Sequence, residues 1–139
     1  MTRRTGRCIC GAVRFSVAAT DLKARACHCA DCRRWAGGPL YVIGPFEDVA
    51  YEDESPIGRV TVSEWAERGF CVVCGSHLFI RVKESGRLIV SAGLFEPNDD
   101  FRFDHQIFID QKPAHYSFAE DTPKLTAAEV WARHAASDE

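Results

Sequence analysis

The sequence has no long apolar run. Its longest uncharged stretches, Trp35–Phe46 and Gly69–Ile80, hold 12 residues each and contain glycine. A membrane-crossing helix takes about 20 mostly apolar residues, so no such helix and no membrane partner are expected. No apolar stretch follows the paired arginines in the N-terminal MTRRTGRCICG, so no secretory signal is expected there. Basic charge is not in excess either. The 17 Lys and Arg against 20 Asp and Glu leave a net charge of −3, which argues against a sequence-independent nucleic-acid binder. Linkers, low-complexity segments and solenoid repeats are missing, so residues 1–139 are expected to form one domain. At 46% hydrophobic and 27% charged residues, the composition is globular rather than disordered or collagen-like.

What the sequence does have is seven cysteines. An odd number leaves one over from a fully paired disulfide framework. Without a secretory signal the expected compartment is the reducing cytoplasm, where clustered cysteines serve metal or redox chemistry more often than disulfides. They fall into three groups: Cys8-Ile9-Cys10, Cys27-His28-Cys29-Ala30-Asp31-Cys32, and Cys71-Val72-Val73-Cys74. Such spacings let neighbouring thiolates converge on one ion, and soft thiolates favour zinc or an iron–sulfur cluster over magnesium or calcium.

The first and third groups share a glycine, Gly11 or Gly75, directly after the last cysteine. Glycine admits a positive φ and lets the backbone turn tightly around a metal. Together these groups supply four thiolates from two distant hairpins, the closed set of a structural zinc site. The middle group supplies three, which leaves one position open, as in catalytic zinc sites. His28 lies between two of these ligands and is expected to point away. Iron–sulfur ligation, and dithiol redox chemistry at Cys29/Cys32 or Cys71/Cys74, are competing readings of the same residues.

The rest of the chain alternates in the manner of short strands. Strands are expected at Ala12–Val17, Leu40–Ile43, Arg59–Trp65, His77–Val82, Leu88–Ala92 and Gln106–Ile109. Two helices are expected. Asp31–Ala36 stops at Gly37-Gly38-Pro39, and Thr126–Ala136 opens with the capping box Thr126/Glu129 and carries a packing stripe of Val130, Trp131 and His134. The fold class is mainly β with a short C-terminal helix. Phe15, Trp35, Phe46 and Trp65 are expected in the core or a pocket wall. Glu52-Asp53-Glu54 and Asp99-Asp100 are expected in exposed turns.

Three motifs occur in order: Gly6-Arg7-Cys8-Ile9-Cys10-Gly11, Cys27-His28-Cys29-Ala30-Asp31-Cys32-Arg33, and Phe70-Cys71-Val72-Val73-Cys74-Gly75-Ser76. With the closing segment from His105 to Lys112, they resemble the glutathione-dependent formaldehyde-activating enzyme family, which includes proteins like centromere protein V. The resemblance spans about residues 6–123. It implies antiparallel sheets of the Mss4 type, stapled by zinc, with two zinc ions per chain. Cys8, Cys10, Cys71 and Cys74 would hold the structural ion, and Cys27, Cys29 and Cys32 the catalytic one. It also implies a carbon–sulfur lyase reaction in which glutathione and formaldehyde give S-hydroxymethylglutathione. In one respect the sequence departs from the pattern. His115, in Lys112-Pro113-Ala114-His115-Tyr116, stands where the family usually carries a tryptophan.

Arg33 and His105 are the candidate substrate residues. Arg33 would hold a glutathione carboxylate by paired hydrogen bonds, and His105 would move a proton near neutral pH. Their plainer roles are a solvated arginine and a strand histidine with one structural hydrogen bond. Three functions follow for the whole chain: a zinc lyase acting on a small-molecule thiol such as glutathione and an aldehyde; a non-catalytic zinc module that carries glutathione or binds a protein; or a thiol-based sensor.

Overall fold

The computed structural model of the chain describes residues 3–18 and 22–137. The chain opens with strands β1 (Arg4–Arg7), β2 (Arg14–Val17) and β3 (Lys23–Cys27), then helix α1 (Ala30–Ala36). Strands β4 (Leu40–Phe46), β5 (Ala50–Tyr51), β6 (Ile57–Thr61), β7 (Ala66–Cys71), β8 (His77–Val82) and β9 (Leu88–Ser91) follow. The last elements are β10 (Arg102–Ile107), β11 (Lys124–Leu125) and helix α2 (Ala127–Ser137). This is the mainly β chain with a C-terminal helix that the sequence pattern implies. Among the described residues no helix is long and apolar enough to cross a membrane.

The described residues form two compact units. The first takes in Met1–Leu22 and Val42–Phe101, and the second Lys23–Tyr41 and Arg102–Glu139. In the first, β1, β2 and β5 make a three-stranded antiparallel sheet, while β4, β9, β8, β7 and β6 lie side by side in that order. Alternation works as expected in β2, where Phe15 and Val17 are buried and Arg14 is exposed. Phe95 is fully enclosed and packs edge-on against Phe15 and Phe101 at 5.2 and 5.4 Å. A second apolar cluster joins Val13, Leu78 and Phe79 to two cysteines, Cys8 and Cys71. The core of this unit therefore runs up to its cysteine groups.

In the second unit the pairing is parallel: β10 lies between β3 and β11. Phe103 packs edge-on with Phe118 at 4.8 Å and Tyr41 at 5.5 Å. Helix α2 begins with the expected capping box. The Thr126 hydroxyl accepts from Glu129 N–H at 3.2 Å, and the Glu129 carboxylate accepts from Thr126 N–H at 3.0 Å. Its stripe packs less deeply than expected. Trp131 meets Phe108 edge-on at 6.1 Å yet stays 41% exposed.

Some boundaries differ from the alternation pattern, each for a local reason. The run Arg59–Trp65 splits, since β6 ends at Thr61 and the Ser63 hydroxyl closes a turn onto the Ala66 carbonyl at 3.4 Å. Strand β10 starts earlier than expected and stops before Phe108, which takes a left-handed φ of 56° and leads into a 3-10 turn at Ile109–Gln111. Strand β7, with the sequence AERGFC, has weak strand propensity. It forms because Gly69 leaves room for the Phe79 ring of β8; a Cβ there would lie 2.3 Å from that ring.

Candidate metal centres

All seven cysteines are free thiols. They gather into the two sets that their spacing suggests, one in each compact unit. In the first unit, Cys8 and Cys10 sit at the β1–β2 hairpin, and Cys71 and Cys74 at the β7–β8 hairpin. The four sulfurs lie within 4.8 Å of one another, with Cys8–Cys10 at 3.6 Å and Cys10–Cys71 at 3.8 Å. A tetrahedral ion with zinc–sulfur bonds of about 2.3 Å holds its sulfurs about 3.8 Å apart. The set therefore fits such an ion.

The two hairpins use the same local device. Gly11 and Gly75 both adopt φ +79°, and their N–H groups return to the Cys8 and Cys71 carbonyls at 3.2 and 2.8 Å. A side chain disfavours that φ, so the glycine after each cysteine pair is what closes the turn. Backbone N–H groups then point at sulfur, Val13 to Cys8 Sγ at 3.4 Å and Ala12 to Cys10 Sγ at 3.5 Å. Ser76 joins the hairpins, since its Oγ accepts from Ile9 N–H and lies 3.1 Å from Cys74 Sγ. These contacts favour thiolate. The Ser76 hydroxyl, with a Cys10 backbone contact, lowers Cys74 to about 5. Cys10 gains from the Ala12 N–H, but partial desolvation and its cysteine neighbours push it up to about 11. One thiol ionises easily and the next resists, as expected of anions crowded together that a cation would relieve.

The second unit builds its set differently. Cys27 ends β3, Cys29 caps the N-terminus of α1, and Cys32 lies in the first turn of that helix. The Cys29 sulfur accepts from Cys32 N–H at 3.3 Å. Gln111 Oε1 takes the Ala30 N–H at 3.1 Å. The helix ends at Gly37 in the left-handed conformation, φ 83°, with its N–H on the Arg33 carbonyl. The three sulfurs lie within 4.8 Å of one another. Cys29 and Cys32, together with burial, hold the Cys27 thiol far above its ordinary range. Three ionised thiols cannot share this space without a cation, and soft thiolate donors suit zinc.

His28 is not a fourth ligand. It is fully buried, and both ring nitrogens are engaged, Nδ1 with the Tyr116 hydroxyl and Nε2 with Gln106 Oε1, each at 2.8 Å. Gln106 in turn donates through Nε2 to Thr122 Oγ1 at 3.1 Å. Burial lowers the His28 pKa and favours the neutral ring. Among the described residues the cluster thus holds three protein ligands.

Arg33 follows Cys32 directly and donates through Nε to the His28 carbonyl at 3.0 Å. It also lines a cavity of about 440 Å³ with Arg34, the Gly37–Pro39 turn, Pro113, His115 and Tyr116. That volume lies in the range of small-molecule sites. Among the described residues, two guanidinium groups and no carboxylate line it. Two of its walls, Arg33 and Tyr116, bond to the residue between Cys27 and Cys29. Burial raises Tyr116 above the usual phenol range, against the opposing charge of Arg33. A second cavity, about 480 Å³ in the first unit, mixes Arg7 and Arg14 with Glu52 and Glu96 and carries no comparable charge preference.

The other candidate substrate residue, His105, lies on β10 beside Gln106. Its Nδ1 is bonded to the Asp104 carboxylate at 2.8 Å, and it is not among the residues lining the Arg33 cavity. Sequence reasoning overlooked Tyr116, Gln106 and Thr122. They stand 78 or more residues from His28 in the chain, or reach it only through Gln106, so no short motif joins them to the cysteines.

Residues 3–111 match the model of a family described as glutathione-dependent formaldehyde-activating enzyme. An uncharacterized lyase of Schizosaccharomyces pombe is 31% identical over 131 residues, covering 94% of this chain and 96% of the yeast protein. A crystal structure of a Rhodobacter sphaeroides protein is similar at a TM-score of 0.56 and 21% identity, covering 67% of this chain and 88% of the other. That last likeness concerns the fold.

Proposed function

The chain belongs to the glutathione-dependent formaldehyde-activating enzyme family, and on that premise we propose that it is a zinc-dependent carbon–sulfur lyase acting on glutathione–formaldehyde adducts. The observation that carries this reading is the three-thiol cluster, whose intervening histidine is bonded to the walls of a doubly cationic cavity. In the addition direction the glutathione sulfur bonds to the aldehyde carbon, the C=O π bond opens, and the thiol proton ends on the new hydroxyl. The lyase direction reverses each change.

Cys27, Cys29 and Cys32 would hold the catalytic zinc, and Cys8, Cys10, Cys71 and Cys74 the structural one. A bound zinc with three protein ligands supplies Lewis acidity at its fourth position, which favours thiolate over thiol or polarises a carbonyl. Arg33, fixed by its bond to the His28 carbonyl, orients a substrate carboxylate, and Arg34 adds charge at the same cavity. His105, with Nδ1 held by Asp104, remains the candidate for proton exchange through Nε2.

The test is turnover. The zinc-loaded chain, mixed with glutathione and formaldehyde, is expected to form S-hydroxymethylglutathione well above the uncatalysed rate, followed by proton NMR of the new methylene. Glutathione binding with no rate above background would overturn the lyase reading and leave a carrier.

A further inference from the structure

Strand β6 ends its sheet and has β7 on one side only. Such an edge offers a row of backbone N–H and C=O groups to another strand. Its pairing with β7 decides which groups those are. The Val72 N–H donates to the Pro56 carbonyl at 2.9 Å, and these two groups flank the Ile57–Cys71 pair. Ile57 and Cys71 are therefore a pair without hydrogen bonds between them, and in an antiparallel ladder the two kinds of pair alternate. Gly58 and Val60 spend their backbone groups on β7, while those of Arg59 and Thr61 turn to the open edge. Ile57 turns outward as well, but its N–H is taken by the Glu54 carbonyl at 3.0 Å.

Edges are commonly blunted by lysine, proline or a bulge. Within Ile57–Thr61 there is no lysine or proline, and the register with β7 runs without a break. The one charge, Arg59, is bonded to Glu67 and Glu54 at 3.1 and 3.3 Å on the face that carries Phe79. The opposite face is apolar and open. Val60 is 36% exposed, and Val62, just past the strand, is 55% exposed. Val72 is 59% exposed and lies over Gly58, where a Cβ would come 2.9 Å from its Cγ1.

We propose that β6 pairs antiparallel with β6 of a second copy of this chain, about a two-fold axis at Val60. Self-pairing must match outward backbone groups with outward ones, and this register does so. Arg59 exchanges both its bonds with Thr61 of the second copy, and Thr61 with its Arg59. Val60 then faces Val60 of the second copy in the closer, non-bonded type of pair. Val62 comes opposite Gly58 of the second copy and covers its Val72. On the other face Arg59 enters the row of Thr61 and Glu67 of the second copy, so opposite charges approach. The neighbouring registers are worse. An axis at Arg59 sets two guanidinium groups against each other. An axis at Thr61 matches Arg59 with Ser63, which lies past the strand in the turn closed onto Ala66. The interface is isologous and independent of the lyase reading.

Sedimentation equilibrium of the zinc-loaded chain in reductant tests the proposal. A five-residue strand makes a small interface, so the average mass is expected to rise from one chain towards two between about 5 and 500 μM. Val60→Lys and Val60→Glu each place like charges at the axis and are expected to weaken the dimer at least about tenfold. An equimolar mixture of the two is expected to dimerise again, because Val60 meets only its own counterpart in this register. Unchanged circular dichroism shows that the variants are folded. If they do not fold, Thr61→Pro decides: it removes an outward N–H that β7 does not use and is expected to stay monomeric. A wild type that remains monomeric at about 500 μM overturns the proposal and leaves the edge to a strand of another protein. A dimer that survives in folded Val60→Lys, or in Thr61→Pro, overturns it too, as does a mixture that fails to recover.

Discussion

Cys71→Ser is expected to remove one metal ion per chain and to abolish the cooperative unfolding of the unit that carries it. Cys71 is fully buried and packs with Cys8, Val13, Leu78 and Phe79, so its sulfur belongs to both the cluster and the core. Structural zinc contributes about 10–16 kcal/mol of binding free energy in zinc-finger peptides. Whole domains are stable by only about 5–15 kcal/mol. Breaking the four-thiol set therefore puts at risk as much free energy as the fold has. Cys10→Ser separates metal from packing, because Cys10 is exposed and adds a ligand without filling the core. Both variants are expected to lose the urea transition seen by circular dichroism and to retain one ion by elemental analysis. A Cys10→Ser chain that unfolds at the wild-type midpoint would mean that packing, not metal, holds the two hairpins together.

Cys29→Ser is expected to abolish turnover, by more than about a hundredfold in kcat/KM, and to leave one zinc per chain. The substitution isolates the chemistry well. Cys29 is the N-cap of α1, where its sulfur accepts the Cys32 N–H, and serine is among the preferred residues at that position. The helix start should therefore survive the loss of the ligand. The cluster at Cys8, Cys10, Cys71 and Cys74 lies in the other unit and keeps its four thiols. The measurement pairs steady-state rates with metal content. Full activity in Cys29→Ser would detach the chemistry from the three-thiol cluster.

The cysteine division was legible because ligand geometry is local. Two cysteines one to two residues apart, with glycine next, describe a turn in which both sulfurs face one point, and Gly11 and Gly75 adopt the same φ for that purpose. Capping is local in the same sense, and Thr126 with Glu129 marked the start of α2 in four residues. The strands without strong propensity were not legible. The sequence KARAC of β3 has no β-branched residue and is a strand because β10 and its backbone pairing make it one. Likewise β7 depends on the fit of Phe79 over Gly69.

The candidate site divides along the same line. Its ligands and Arg33 stand within seven consecutive residues, Cys27 to Arg33, and were read directly. Its polar support comes from β10 and the segment after it, brought to His28 by parallel pairing. Burying a histidine between two cysteines requires partners for both ring nitrogens, and only the tertiary structure shows that these are Tyr116 and Gln106. His28 itself was legible as a non-ligand from its place between two cysteines.

Two cysteine clusters, one closed with four thiols and one open with three, are each expected to hold an ion. The first measurement is zinc per chain, by elemental analysis on protein purified reduced and without added metal. The expected value is near two, falling to near one in Cys29→Ser. A wild-type value near one, unchanged in Cys29→Ser, would mean that the three thiols beside the Arg33 cavity hold no zinc.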